Sequence, residues 1–316
     1  MPQPLVTIPI AAYKTRPDHL TTAIKSALGQ TWQNIEVIVS DDSPNPSLRA
    51  VVEQFLDPRL RYRHNFPGLG VARNHLLCFR EAEGEYIAVL NHDDFFAPTF
   101  IERLVEPLIE HPALSLAFCD HWVVDADGQR LVPETEQTTK DWGRLALMEG
   151  IHRPFFDLLA AQTIPMAMGA VFRQSLLPSL LPAKAGPAYD LWLTYLLCQE
   201  SYGAYYVRDR LSSWRSHPEN ITSRGGLDWS YGAAECWRTV ANDARLASIR
   251  PIARRKAASA FCCCAVSSWR AGQRGRCFSF GWRSLRMSPT IKGFATLCLP
   301  VVPRAFPFKA FGSTRP

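Results

Sequence analysis

The chain has 316 residues, 47% of them apolar and 20% charged, a balance that supports a large buried core and excludes disorder over most of its length. Its net charge of +6 hides an asymmetry: residues 1–235 carry 20 Lys and Arg against 28 Asp and Glu, whereas residues 236–316 carry 15 against the single acid Asp243. The nine cysteines include three in a row at 262–264 but no Cys-x-x-Cys and no zinc-ligand spacing, so a zinc finger is excluded and a reduced intracellular chain is expected.

Residues 5–10 read as a short apolar strand, reached without the basic and apolar regions of a signal peptide. After Pro17, the residues Leu20, Ala23, Ile24, Ala27 and Leu28 recur at the spacing of one helix face. Residues 35–39 form a β-branched strand that ends at Ser40-Asp41-Asp42. Pro46 opens a second helical pattern through Leu48, Val51, Val52, Phe55 and Leu56. Residues 60–64 read as a strand, and residues 69–83 as a helix stopped by Gly84. Residues 86–90 read as a buried strand running into Asn91-His92-Asp93-Asp94. A helix over 99–109 and a strand over 114–119 follow. Such alternation predicts βαβ units and a mostly parallel sheet. Beyond it, Ala126-Asp127-Gly128 marks a hairpin turn, residues 133–160 are irregular, residues 190–200 are helical and residues 205–211 are extended. From about residue 230 the pattern is helical and basic. The longest uncharged apolar run, 257–269, has 13 residues, short of the roughly 20 that span a bilayer.

Tyr13, Asp41-Asp42 and Asp93-Asp94 each follow a predicted strand, and ligands of open α/β sheets bind beyond those strand ends. Adjacent carboxylates after a buried strand repel one another unless a cation compensates them, and Mg²⁺ or Mn²⁺ commonly shares such ligands with a diphosphate. Taken alone, Asp93-Asp94 reads equally well as the N-cap of the next helix. Asp190, which opens an apolar helix, has the same plain reading. Gly68-Leu69-Gly70 is no dinucleotide fingerprint, because Arg73 stands where its third glycine belongs. A nucleotidyltransferase would need a basic, Gly-rich loop near the N-terminus, which residues 9–18 do not supply.

Seven segments, in order over about 220 residues, resemble family 2 glycosyltransferases of the GT-A fold. They are Val6-Thr7-Ile8-Pro9-Ile10 with Tyr13, the run from Ala27 to Trp32, the run from Ile35 to Ser43, Gly70-Val71-Ala72-Arg73-Asn74, the strand ending in Asn91-His92-Asp93-Asp94, Tyr189-Asp190-Leu191-Trp192-Leu193, and Trp214-Arg215-Ser216-His217-Pro218-Glu219-Asn220. The resemblance implies an α/β, Rossmann-like, mostly parallel mixed sheet flanked by helices, with a basic helical C-terminal extension. It implies a catalytic domain over 1–228, made of a nucleotide-binding half (1–120) and an acceptor half (121–228), followed by a basic region over 229–316. It also implies an inverting hexosyl transfer from a nucleoside-diphosphate sugar to a hydroxyl of a glycan or lipid-linked acceptor, in the synthesis of a cell-surface polysaccharide. In that frame Asp190 is the general base. Tyr13, Asp41, Arg73 and Asp93 bind the nucleotide or its phosphates, and Asp93, Asp94 and His217 hold a divalent cation, Mn²⁺ or Mg²⁺.

The chain departs from the family pattern at four of these places, one being Asp42-Ser43, where the intervening Gly is missing and the loop is shorter. Asn91 stands where the family has the first acid of its D-x-D motif, Tyr189 where it has Glu, and Lys14 where many members have Asn. The Asn91 departure keeps a second reading open, a non-catalytic nucleotide-sugar binding module with a decayed metal site. In the tail, Trp269, Phe278, Phe280 and Trp282 interleave with Arg270, Arg274, Arg276 and Arg283. That composition suits either a helical cap or an interfacial helix on an anionic membrane. The expected location is cytoplasmic, with peripheral contact to the inner face of the membrane through 236–316, and no nucleic-acid partner is expected.

Overall fold

The computed structural model describes residues 3–177, 182–199, 201–217 and 227–270. In chain order these form β1 (Val6–Ala12), α1 (Pro17–Leu28), β2 (Ile35–Asp41), α2 (Arg49–Val52), β3 (Leu60–His64), α3 (Val71–Glu81), β4 (Tyr86–Ala88), β5 (Phe95–Phe96), α4 (Phe100–Glu110), β6 (Leu114–Val124), α5 (Val132–Asp141), β7 (Gly150–His152), α6 (Phe156–Ala161), β8 (Ala170–Arg173), α7 (Tyr189–Leu197), β9 (Gly203–Arg215), α8 (Leu227–Asn242) and α9 (Arg250–Arg270). The strands lie in the order β3-β2-β1-β4-β8-β6-β9-β5, with β7 also paired to β9. β3, β2, β1 and β4 are mutually parallel. β8 is wedged antiparallel between β4 and β6. β9 runs parallel to β6, and the short β5 and β7 run antiparallel to β9. Six of the nine described strands therefore point one way, giving the mixed, mostly parallel sheet that the sequence implies.

The elements follow from their residues. β2 is buried at all seven positions, as expected of an aliphatic strand covered on both faces. On one side, Leu20, Ala23, Ile24 and Ala27 of α1 are fully buried against Ile8, Val37 and Val39 of the sheet. On the other, α3, α6, α7 and α8 bury Phe79, Leu159, Trp192 and Trp237 in a second core. Full burial of each large apolar side chain contributes about 1.5–3 kcal/mol, so the sheet is held from both faces.

Three expectations change. The helix expected after Pro46 is one turn, α2; Val51 and Val52 are buried, but Leu56 is 98% exposed. Pro58 disfavours a helical Asp57, and the Asp57 carboxylate instead accepts from the N–H of Arg59 at 2.9 Å, a local bond that competes with helix. The 126–128 turn forms, with Asp125 N donating to Gln129 O and Gly128 at φ +85°. It is followed by a single bridge, Val124 to Arg130, rather than a second strand. Residues 133–160 are not irregular: α5, β7 and part of α6 occupy them. β7 and β8, of three and four residues, are too short to register as an alternating pattern. β6 runs through residue 120, so one continuous sheet joins residues 1–120 to the residues that follow. The basic region is helical through α8 and α9. The side chains expected to interleave over 269–283 lie outside those described, as does the chain beyond 270. No helix among the described residues is long and apolar enough to cross a membrane.

α3 ends at Glu81, with Ala82 already extended, and Gly84 instead lets the chain pass close to β1. A Cβ there would sit 2.5 Å from Thr7 N and 2.9 Å from Leu5 O, both backbone atoms. Gly84→Ala is expected to lose about 2 kcal/mol or more in urea unfolding, whereas Leu56→Ser should stay within about 0.5 kcal/mol of the parent.

Candidate active site

The carboxyl ends of β1, β2 and β4 set the first wall. Asp41 ends β2 fully buried, with one oxygen accepting from Ser43 N and the other from the Tyr62 hydroxyl, each at 2.8 Å. Tyr13 follows β1 and is 52% exposed, its ring 5.2 Å from the Lys14 ammonium. The Lys14 N–H donates to Ser43 Oγ, which ties this loop to the end of β2. Asp42 accepts from the N–H groups of Leu69 and Gly70, at 2.9 and 2.7 Å, and from Asn65 Nδ2. The loop before α3 is thereby pinned to β2. Asn74 locks the same joint from inside the helix: its Nδ2 donates to Ser40 O, and its Oδ1 accepts from Asn65 and from the Ser40 hydroxyl. Arg73, one position before, stands exposed on the first turn of α3.

The second wall joins residues 91–94 to the end of β9. Asp94 is 1% exposed. One of its oxygens accepts from Arg215 N and the other from Asn91 Nδ2, both at 2.8 Å. Burial pushes its carboxyl well above the usual carboxylate range and neighbouring Asp93 adds to this, against the bonds from Arg215 and Asn91. The buried Arg215 guanidinium donates to Asp93 O at 2.8 Å and to Ala126 O at 2.7 Å, so one side chain gathers the 91–94 loop and the 125–128 turn. Two residues on, His217 Nε2 lies 3.0 Å from Asp93 Oδ2, with both side chains partly exposed.

Asp190 sits on the first turn of α7, where its Oδ1 accepts from Leu191 N at 2.8 Å. Burial raises its carboxyl to about 6, against the pull of that N–H. The preceding Tyr189 stacks on His75 of α3 with ring centroids 4.0 Å apart. Burial raises the Tyr189 phenol, and the charges of Asp190, Asp94 and Asp93 raise it further, so Tyr189 lies within electrostatic reach of all three carboxyls. His75 donates from Nδ1 to Val71 O at 2.9 Å, and burial lowers its pKa to about 4. Its neutral ring therefore presents Nε2 as an acceptor. Neither that atom nor the Tyr189 hydroxyl has a hydrogen-bond partner among the described residues.

A family model described as glycosyl transferase family 2 matches residues 7–173. The chain belongs to that family. It is 26% identical over 233 residues to an uncharacterized glycosyltransferase of Rickettsia typhi, across 70% of this chain and 66% of that one. It is 35% identical over 101 residues to the UDP-Glc:alpha-D-GlcNAc-diphosphoundecaprenol beta-1,3-glucosyltransferase WfaP of Escherichia coli, across 32% and 40%. The chain spans between 23% and 66% of the length of the first curated relatives it matches. Among solved structures it superposes on Staphylococcus aureus TarS residues 1–349 with a TM-score of 0.59 at 14% identity, over 86% of this chain and 75% of that one. The mannosyltransferase PcManGT of Pyrobaculum calidifontis, in complex with GDP-Man and Mn²⁺, gives 0.57 at 14% identity over 86% and 76%. At that identity the likeness shows the fold alone, and the fold is GT-A.

Within this family fold, the residues expected from sequence sort into two kinds. Asp41, Arg73, Asp93 and His217 lie at ends of strands or at a helix N-terminus on the carboxyl side of the sheet. Asp94, expected to hold metal, has both oxygens engaged by protein donors. The groups that fit a cation best are Asp93 and His217, one carboxylate and one imidazole. No three His, Cys, Asp or Glu groups cluster as a metal site among the described residues. Two protein ligands suit a cation that fills its shell with diphosphate and water. Sequence reasoning missed the supporting roles of Asp42, Asn74 and Arg215. The clue for Arg215 was its place two residues before His217, in a segment whose resemblance was noted without assigning it a role. Asp94→Ala is expected to lower the melting temperature by several degrees, since it strands a buried backbone N–H. Asp93→Ala should keep the melting temperature and lose at least about tenfold in Mn²⁺-dependent UDP affinity by calorimetry.

Proposed function

We propose that the chain transfers a sugar from a nucleoside-diphosphate sugar to a hydroxyl of a glycan or lipid-linked acceptor, with inversion at the anomeric carbon. The observation that carries this reading is Asp190 at the start of α7, a carboxyl that burial raises to about 6, next to Tyr189, whose phenol is raised by the charges of Asp93 and Asp94. A base with that pKa is largely ionised at neutral pH yet still basic enough to take a proton from an attacking hydroxyl. The relatives add support: one is named for glucosyl transfer to a diphospho-lipid and another for succinoglycan biosynthesis, and two of the solved neighbours hold UDP or UDP-GlcNAc.

In this reading Asp41 and Tyr13 take the nucleoside. Asp41 keeps lone pairs beyond its bonds to Ser43 and Tyr62, and they can accept from a base N–H. The exposed Arg73 guanidinium offers a fork of donors to phosphate oxygens. Asp93 and His217 would hold a divalent cation, Mn²⁺ or Mg²⁺, which supplies charge neutralisation at the departing diphosphate when bound. Asp190 accepts the acceptor hydroxyl's proton as the new oxygen–carbon bond forms and the bond to the diphosphate breaks. Domain roles follow the same division: 1–120 binds the donor nucleotide, 121–228 faces the acceptor, and the basic 229–316 region makes peripheral contact with an anionic membrane on its cytoplasmic face.

Asp190→Asn is expected to lower transfer by about 10²–10⁴-fold, and kcat/KM of the parent should fall about tenfold per pH unit below about 6. The stability effect has the opposite sign. A carboxyl near 3.8 in the unfolded chain and about 6 in the fold binds more protons when folded, so stability drops as pH rises from about 4 to 6 and stays lower above. Asp190→Asn should therefore be more stable than the parent by about 3 kcal/mol at pH 7.5 and equal to it near pH 3.5. The screen that tests the function is incubation with UDP-glucose, UDP-GlcNAc and GDP-mannose in Mn²⁺. Donor binding without transfer or hydrolysis would leave the binding-module reading in its place.

A further inference from the structure

A second cleft of about 460 Å³ opens on the outer half of the sheet, between β6, β9, α5 and the turn at 144–146. Its wall is a buried polar unit. Asp120 accepts from Arg144 Nε at 2.7 Å, from the Thr139 hydroxyl at 2.6 Å and from Arg210 Nε at 3.4 Å. Arg144 also donates to Thr163 O at 2.8 Å and is 2% exposed. Apolar replacements of buried ion pairs are often at least as stable, so stability alone does not account for this wall. What it does is hold charged groups rigidly at the edge of a cavity.

The charges in the cleft are unevenly spent. Asp120 already serves Arg144 and Arg210, Glu136 pairs with Arg210 at 2.9 Å, and Asp209 pairs with Arg103 at 2.9 Å. Arg208 is different. It is exposed at the cleft, and its guanidinium has no acid partner among the described residues; only its main-chain N–H donates to Glu149, at 3.1 Å. The remaining lining offers rings and apolar surface. Trp122 packs with the Arg130 and Arg210 guanidinium groups 4.2 and 4.7 Å from its centroid. Leu145 is 57% exposed. Burial pushes the Tyr206 phenol up to about 12, so it stays a neutral donor.

We propose that this cleft is a second saccharide subsite, which takes a sugar residue carrying a carboxylate or phosphate and holds that anion on Arg208. The Arg208 guanidinium pairs with none of the acids around the cleft, which leaves its donors for an anion, and the part-exposed Trp122 and exposed Leu145 suit the flank of a sugar. Asp120 lies four residues before Val124 on β6, about 13 Å at the rise of a strand. Val124 pairs with Arg215, the residue that anchors Asp94. A short oligosaccharide spans that separation, so the subsite would hold a part of the acceptor away from the reacting hydroxyl. The assignment of the saccharide as acceptor rests on the glycosyltransfer reading; the binding itself does not.

The test is calorimetry on the full chain with three probes: a tetrasaccharide containing glucuronic acid, a phosphorylated maltotetraose, and maltotetraose itself. At least one anionic probe should bind about tenfold or more tighter than the neutral one, with affinity that weakens as salt is added. Arg208→Glu should lose about tenfold or more of that affinity, and Arg208→Lys should retain most of it. Both variants should keep the melting temperature and UDP affinity of the parent, since the side chain is exposed. The two anionic probes distinguish carboxylate from phosphate recognition. If neither binds, or if Arg208→Glu binds like the parent, the subsite is overturned. If no sugar transfer is found while Arg208-dependent binding persists, the glycosyltransfer reading fails and the subsite stands.

Discussion

A buried carboxylate has to find donors, and Asp94 finds them on two segments far apart in sequence. Asn91 supplies one from its own loop, and the main-chain N–H of Arg215 supplies the other from the end of β9. The geometry of the site depends on that junction. It closes β9 against the loop after β4, and His217, two residues further, arrives beside Asp93. The Arg215 side chain then carries the junction outward to the 125–128 turn. Asn91 is thus more than a lost acid: as an amide it donates to Asp94, which a carboxylate at 91 could do only when protonated.

The opposite wall uses the same device with other residues. Asp42 pins the loop before α3 through two backbone N–H groups, and Asn74 pins the helix that follows. Arg73 is left exposed on the outside of a rigid joint, where the proposed function gives it the diphosphate. The raised carboxyl of Asp190 belongs to the same logic. A carboxyl raised by burial costs stability at neutral pH, and the well-packed cores on both faces of the sheet offset that cost.

Much of this was legible before any coordinates. α1 and β2 carry strong periodic or buried patterns, and their bounds match to within a few residues. The strand ends that carry Tyr13, Asp41 and Asp93 were legible too, because aliphatic runs stop where polar pairs begin. What was not legible depends on partners distant in sequence. Nothing in Asp94 itself says that its second donor lies 121 residues away, so the sequence reads Asp93 and Asp94 alike as metal ligands. The stacking of Tyr189 on His75 joins α7 to α3 and leaves no local trace. β7 and β8 were missed because three or four residues cannot display an alternation, and β8 is the strand that turns a parallel sheet into a mixed one. Asp120 and Arg144 carry no local sign of their pairing, yet both are buried.

The junction at Asp94 brings an imidazole to Asp93, and the proposed role of that pair in holding a cation can be observed directly. Electron spin-echo spectroscopy of the full chain with Mn²⁺ and UDP reads nitrogen atoms bound to the ion. A histidine nitrogen coupling is expected in the parent chain and should vanish in His217→Gln while the Mn²⁺ signal persists. A bound Mn²⁺ that shows no nitrogen coupling in the parent, or the same coupling in His217→Gln, would contradict the pairing of Asp93 with His217 as the metal site.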